Sequence, residues 1–156
     1  MMHRKSFLNF TFNRPILVLI LEPVSSKEII MKVVIADDSL VTRKIIEAAV
    51  KPLGYDVLHA VNGQEVLQIL DKQANEVELV LLDWNMPVMN GYETVKRINN
   101  NDLCRHICVM MVSTESEDDK IQQAMKAGAA GYLAKPFTRE ELAEKVNATL
   151  KKFKAR

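Results

Sequence analysis

From Lys32 onward the chain changes its hydrophobic period again and again. Short apolar runs stand at Lys32–Ala36, Val57–Ala60, Leu79–Leu82, Ile107–Val112 and Gly131–Ala134. Amphipathic stretches separate them. Most of the runs are continuously apolar rather than alternating, the pattern of strands covered on both faces. Five such strands, each followed by a helix, close as a parallel sheet wrapped on both sides. The spacing therefore predicts an α/β fold, a doubly wound five-stranded parallel sheet with five helices, spanning about 125 residues. Helix starts are marked by Asn62 before Glu65, Asn90 before Glu93 and Thr138 before Glu141. In each pair a small polar side chain satisfies amide hydrogens that have no partner within the helix. The last helix shows a buried stripe at Leu142, Val146, Leu150 and Phe153, and Gly54 is a plausible stop after the first helix.

Residues 1–30 differ from the rest. They hold four basic and two acidic residues, two prolines and no defensible period. They are read as a loose N-terminal extension or an overlong start with Met31 as initiator, and 31–156 as the domain proper. A secretory leader with His3-Arg4-Lys5 as its charged region is the weaker alternative, because Asn9, Asn13, Arg14 and Pro15 break up its apolar part. Arg156 lies three residues past Phe153, so no output domain is expected. The chain carries 21 basic and 20 acidic residues for a net charge of +1, which argues against a nucleic-acid partner. Its longest unbroken apolar runs reach six residues, as at Ile16–Leu21, too short for a membrane span. Cys104 and Cys108 bracket His106, yet Cys108 opens an apolar run and reads as a small buried hydrophobe rather than a metal ligand.

In doubly wound sheets chemistry gathers at the carboxyl ends of the strands. Strand one ends in Asp37-Asp38, strand three in Asp83, strand four in Ser113-Thr114 and strand five in Lys135-Pro136. Each residue alone has an ordinary reading: a helix cap for Asp38, a turn for Lys135-Pro136, a loop bond for Ser113. Together they place three acids, a hydroxyl and a lysine on one edge. Two like charges repel by about 4 kcal/mol at about 4 Å in a medium of effective dielectric about 20. Three carboxylates therefore call for a proton or a cation among them. Mg²⁺ fits, since it takes one or two carboxylates plus water and phosphate oxygens. Lys135 adds a compact donor for a phosphoryl oxygen. A carboxylate in that setting can attack phosphorus and form an aspartyl phosphate.

Four segments carry a resemblance: Val33-Val34-Ile35-Ala36-Asp37-Asp38-Ser39, Asp83-Trp84-Asn85-Met86-Pro87, Met111-Val112-Ser113, and Gly128 through Phe137. In this order they resemble the receiver domain of bacterial two-component response regulators, most nearly its stand-alone chemotaxis members, from about Met31 to Phe153. The resemblance implies a flavodoxin-like strand order of 2-1-3-4-5. It implies that Asp83 is the phospho-acceptor and that Lys135 contacts the phosphoryl group across a cis bond to Pro136. Mg²⁺ would be held by Asp38, Asp83 and the Asn85 backbone carbonyl, with Asp37 acting mostly through water. Ser113 would be the switch hydroxyl, Tyr132 the aromatic that turns inward, and Asn85 and Glu115 the positions that tune loss of the phosphate. A histidine kinase or phosphotransfer protein would be the donor, and a protein target would read the face made by the fourth helix, fifth strand and fifth helix. The implied location is cytoplasmic, and the implied role is signalling rather than turnover of a substrate.

Two departures bear on the partner. Glu117, Asp118 and Asp119 stand where the chemotaxis members are partly basic, and Ser39 replaces an aromatic. Two other readings compete. A Mg²⁺-dependent phosphatase or phosphotransferase needs a second acid two residues past its nucleophile, where this chain has Asn85. An interaction domain that is never phosphorylated predicts a missing acid, lysine or hydroxyl, and none is missing. His3, His59 and His106 all lie away from the strand ends, so no phosphohistidine chemistry is expected within the chain.

Overall fold

Alternate side chains of each strand enter different cores. In the computed structural model, which describes residues 28–156, β1 (Lys32–Ala36) sends Val34 and Ala36 to one face and Val33 and Ile35 to the other. β3 (Val77–Leu82) and β4 (Cys108–Ser113) divide in the same way, with Leu82 and Met111 on the first face and Leu81 and Met110 on the second. Both faces are dry, which is why these runs read as continuously apolar. The second face is covered by α1 (Leu40–Val50) through Ile46 and Val50, and by α5 (Arg139–Lys154) through Leu142, Val146 and Leu150. The first face is covered by α2 (Gly63–Gln73), α3 (Gly91–Asn99) and α4 (Asp118–Ala127). Each fully buried Leu, Ile or Val contributes about 1.5–3 kcal/mol, so the stripe on α5 is a main anchor of that helix.

All pairings are parallel. With β2 (Asp56–Ala60) and β5 (Gly131–Ala134), the order among the described residues is β2-β1-β3-β4-β5, matching the expected topology. The order reverses between β1 and β3. That switch point opens a crevice at their carboxyl ends.

Several boundaries move by one or two residues from the expected ones. β3 begins at Val77 rather than Leu79, because Val77 pairs with Lys32 and the polar Glu78 is accommodated. Its carboxylate accepts from the Tyr55 hydroxyl and from Lys154 Nζ at 2.6 Å, and these donors hold it below its ordinary pKa despite the opposing effect of burial. β2 begins at Asp56, and β4 runs from Cys108 to Ser113, where Ser113 pairs with Ala134.

The expected caps form. Asn62 and Asn90 accept from the Glu65 and Glu93 amides, and Thr138 and Glu141 make a reciprocal capping box. Gly54, at φ 98, closes a short 3₁₀ turn over Lys51–Leu53 rather than α1 itself. Pro52 in that turn has no amide hydrogen to extend the helix. Cys104 and Cys108 are free and buried, and the His106 ring nitrogen sits 2.9 Å from the Ala74 carbonyl. Among the described residues no helix is long and apolar enough to cross a membrane. The expectation for residues 1–30 falls, up to residue 27, outside the described residues.

Candidate functional site

The sheet ladder continues past the strand ends and sets the site. Asp37 N–H donates to the Ala60 carbonyl at 3.1 Å, Asp83 N–H to the Ala36 carbonyl at 2.9 Å, and Lys135 N–H to the Ser113 carbonyl at 2.8 Å. Asp37, Asp38 and Asp83 thereby present oxygens within 4.8 Å of one another. Asp37 and Asp83 are buried, while Asp38 is exposed. The helix-cap reading of Asp38 fails. Ser39 caps α1 instead, accepting from the Thr42 amide at 3.2 Å.

Lys135 Nζ lies 2.6 Å from Asp37 Oδ2 and 3.4 Å from Asp83 Oδ2, and its peptide bond to Pro136 is cis. The other Asp37 oxygen accepts from the Ser39 amide at 2.8 Å. Asp83 Oδ1 accepts from the Trp84 amide at 2.7 Å. Burial is the main cause that raises the Asp83 carboxyl above its ordinary pKa; Lys135, the Ser113 hydroxyl and the Trp84 amide oppose it, and the charge of Asp37 adds to it.

Around the mouth, the Asn85 side-chain amide donates to Glu115 Oε1 at 3.0 Å. Ser113 is fully buried at the end of β4, and its hydroxyl accepts from the Glu115 amide at 3.3 Å. The Tyr132 hydroxyl donates to the Glu115 carbonyl at 2.6 Å, and its ring packs against the first core. Trp84 stacks on Tyr92 with centroids 5.5 Å apart, and the Lys120 ammonium of α4 sits 4.9 Å from the centre of the Trp84 ring. Thr114 is exposed beside Ser113. The structure thus gathers every sequence-derived site residue at one edge.

The donor set suits a hard dication. Three carboxylates in a cluster 4.8 Å across, one of them open to water, match the oxygen ligation of Mg²⁺. Two of the acids already share one lysine, leaving charge for a second cation to balance.

A family model described as the response regulator receiver domain matches residues 33–147. The chain belongs to that family. Chemotaxis protein CheY1 of Helicobacter pylori is 39% identical over 121 residues, covering 77% of this chain and 97% of that protein. CheY-3 of Vibrio cholerae is 35% identical over 118 residues, covering 75% and 89%. The solved structure of CheY4 of Vibrio cholerae superposes with a TM-score of 0.71 at 32% identity, covering 77% of this chain and 98% of that one. Receiver domains are two-component signalling domains rather than conventional enzymes, and they bind Mg²⁺ at an acidic cluster like that of Asp37, Asp38 and Asp83.

Two features of this receiver domain lie outside the sequence reading, and a third concerns acids that it names. A Cβ on Gly91 would stand 2.1 Å from the Asp83 carbonyl oxygen, so only glycine lets α3 start against the Asp83 backbone. Its signal was its place just after the Asn90 cap. Arg43 is buried on α1, in phase with Ile46 and Val50. The acids at the start of α4 do not cap it: Glu117 occupies the N-cap position with no side-chain bond, and Asp118 and Asp119 are exposed in the first turn. They favour the helix dipole and leave an acidic rim.

Proposed function

We propose that this receiver domain is a phosphorylation switch whose acceptor is Asp83. The observation that carries the reading is Lys135 bridging two buried acids, Asp37 and Asp83, beside the exposed Asp38. A histidine kinase or phosphotransfer protein supplies the phosphoryl group. An Asp83 carboxylate oxygen attacks phosphorus, a P–O bond forms, the P–N bond to the donor imidazole breaks, and the imidazole keeps the electron pair. Asp38, Asp83 and the Asn85 carbonyl would hold Mg²⁺, with Asp37 acting through water. When bound, Mg²⁺ neutralises charge on the transferring oxygens. Lys135 turns its ammonium from Asp37 toward the same oxygens. The domain promotes only its own phosphorylation and its own hydrolysis, in which water attacks phosphorus and inorganic phosphate leaves.

The new dianion draws the Ser113 hydroxyl, and Tyr132, bonded to the carbonyl of Glu115 two residues on, follows that loop. The face of α4, β5 and α5 changes, and a protein target reads it in the cytoplasm. Asn85 and Glu115, joined across the mouth, set how long the phosphate lasts. The acidic rim of Glu117, Asp118 and Asp119 selects a target unlike one shaped for a basic edge.

Trp84 adjoins the acceptor and is the chain's single tryptophan, so its fluorescence is the probe. Addition of Mg²⁺ and then acetyl phosphate is expected to change the signal in two steps and to add one phosphoryl group by mass. Asp83→Asn is expected to lose the second step and the mass gain. A wild type that stays silent in both would overturn the reading.

A further inference from the structure

Arg43 is a buried ion with no ionic partner among the described residues. Its side chain is 9% exposed, Nη1 donates to the Asp37 carbonyl oxygen at 2.7 Å, and Nε is buried without a hydrogen-bond partner. No carboxylate lies within ion-pair distance of it among the described residues, although Lys135 has two. A guanidinium does not shed its proton in a protein, and burying one unpaired is costly. An aliphatic side chain at this place on α1 would serve packing better. The arginine therefore answers to something other than the core.

What it grips is a single carbonyl. The rest of Asp37 is already held: its amide by Ala60, one carboxylate oxygen by Ser39 and the other by Lys135. The carbonyl belongs to the peptide plane that leads into Asp38, and that plane aims the exposed acid of the cluster. We propose that Arg43 is a positioning residue for the cation site, locking the Asp37–Asp38 peptide so that the Asp38 carboxylate faces Asp83. The role rests on the acceptor-site reading above, because it matters only if a divalent cation binds there. It also has a distinctive sign. A cation acting through charge alone would repel Mg²⁺, so its removal would tighten binding, whereas loss of a positioning bond weakens it.

The test uses the full chain, with Mg²⁺ titrated against Trp84 fluorescence. Arg43→Met keeps the bulk and removes the donor; it is expected to weaken Mg²⁺ binding about tenfold, the usual order for a residue that orients a metal ligand. Arg43→Lys, which retains a donor for the same carbonyl, is expected to recover most of that loss. Without Mg²⁺, ¹⁵N relaxation at the Asp38 amide is expected to show added motion in Arg43→Met. A folded Arg43→Met with unchanged or tighter Mg²⁺ binding overturns the proposal and makes Arg43 a packing residue. Should that variant not fold, the wild type decides: its Arg43 guanidinium resonances are expected to shift with the same Mg²⁺ midpoint as Trp84, and their indifference overturns the proposal. A wild type with no Mg²⁺ response overturns both this inference and the acceptor reading; a responding wild type with indifferent Arg43 variants overturns this inference alone.

Discussion

The Lys135 ammonium sits 2.6 Å from Asp37 and 3.4 Å from Asp83, so the lysine is held first by the acid of β1 and only second by the acid of β3. Asp37 has almost no access to water. Removing its cation leaves a buried charge with one amide for company. Lys135→Met is expected to lower stability by about 3 kcal/mol, the low end for breaking a buried pair, since Ser39 still bonds the carboxylate. Mg²⁺ is expected to restore a larger share of melting temperature in this variant than it adds to wild type. Thermal melts with and without Mg²⁺ check both.

Asp83 carries a pH signature of its own. Burial, first among its causes, raises its folded pKa above the unfolded value. The folded state then holds the proton longer, so stability falls as pH rises through the unfolded pKa and the loss is complete above the folded one. Asp83→Asn removes that loss. In the absence of divalent cations the variant is expected to melt above wild type at pH 7, with the two curves converging in acid. Equal melting at both pH values would contradict this.

Gly91 is where α3 meets Asp83. The Cβ of Gly91→Ala would press on the Asp83 carbonyl at 2.1 Å, a backbone atom that cannot swing away. The expected cost is about 1–3 kcal/mol, as for other overpacked sites. Phosphorylation by acetyl phosphate should slow in step, because the displaced backbone carries the proposed acceptor, Asp83. Urea denaturation and phosphorylation rates on one preparation make the comparison.

The Asn85–Glu115 bond spans the mouth at 3.0 Å. Glu115→Ala frees Asn85 and opens a path for water, so the phosphorylated protein is expected to decay severalfold faster while Mg²⁺ affinity stays as in wild type. Following decay by Trp84 fluorescence after the phosphodonor is removed measures it.

Much of this molecule is local, and what is local was legible in the chain. The continuous apolar runs mark strands that are covered on both sides, and the polar residue that ends four of the five runs marks a carboxyl edge. Asp37, Asp38, Asp83, Ser113 and Lys135 could be named because each closes a strand or lies within two residues of its end. Caps at Asn62, Asn90 and Thr138 were legible for the same reason, since their partners lie three residues away.

Tertiary structure decided the partners. Asp37 and Lys135 are 98 positions apart, and nothing in either neighbourhood tells which acid the lysine takes first. Glu78 stands just before the apolar run Leu79–Leu82, and it enters β3 because Tyr55 and Lys154 come from distant parts of the chain to satisfy it. Nothing beside Arg43 in the chain marks it out, and only packing of α1 against the sheet buries it and turns it onto the Asp37 carbonyl. Hydrophobic period and capping act between near neighbours in the chain, so a sequence carries them openly. Charge pairing and close packing act between neighbours in space, and those exist only once the five strands have taken their order.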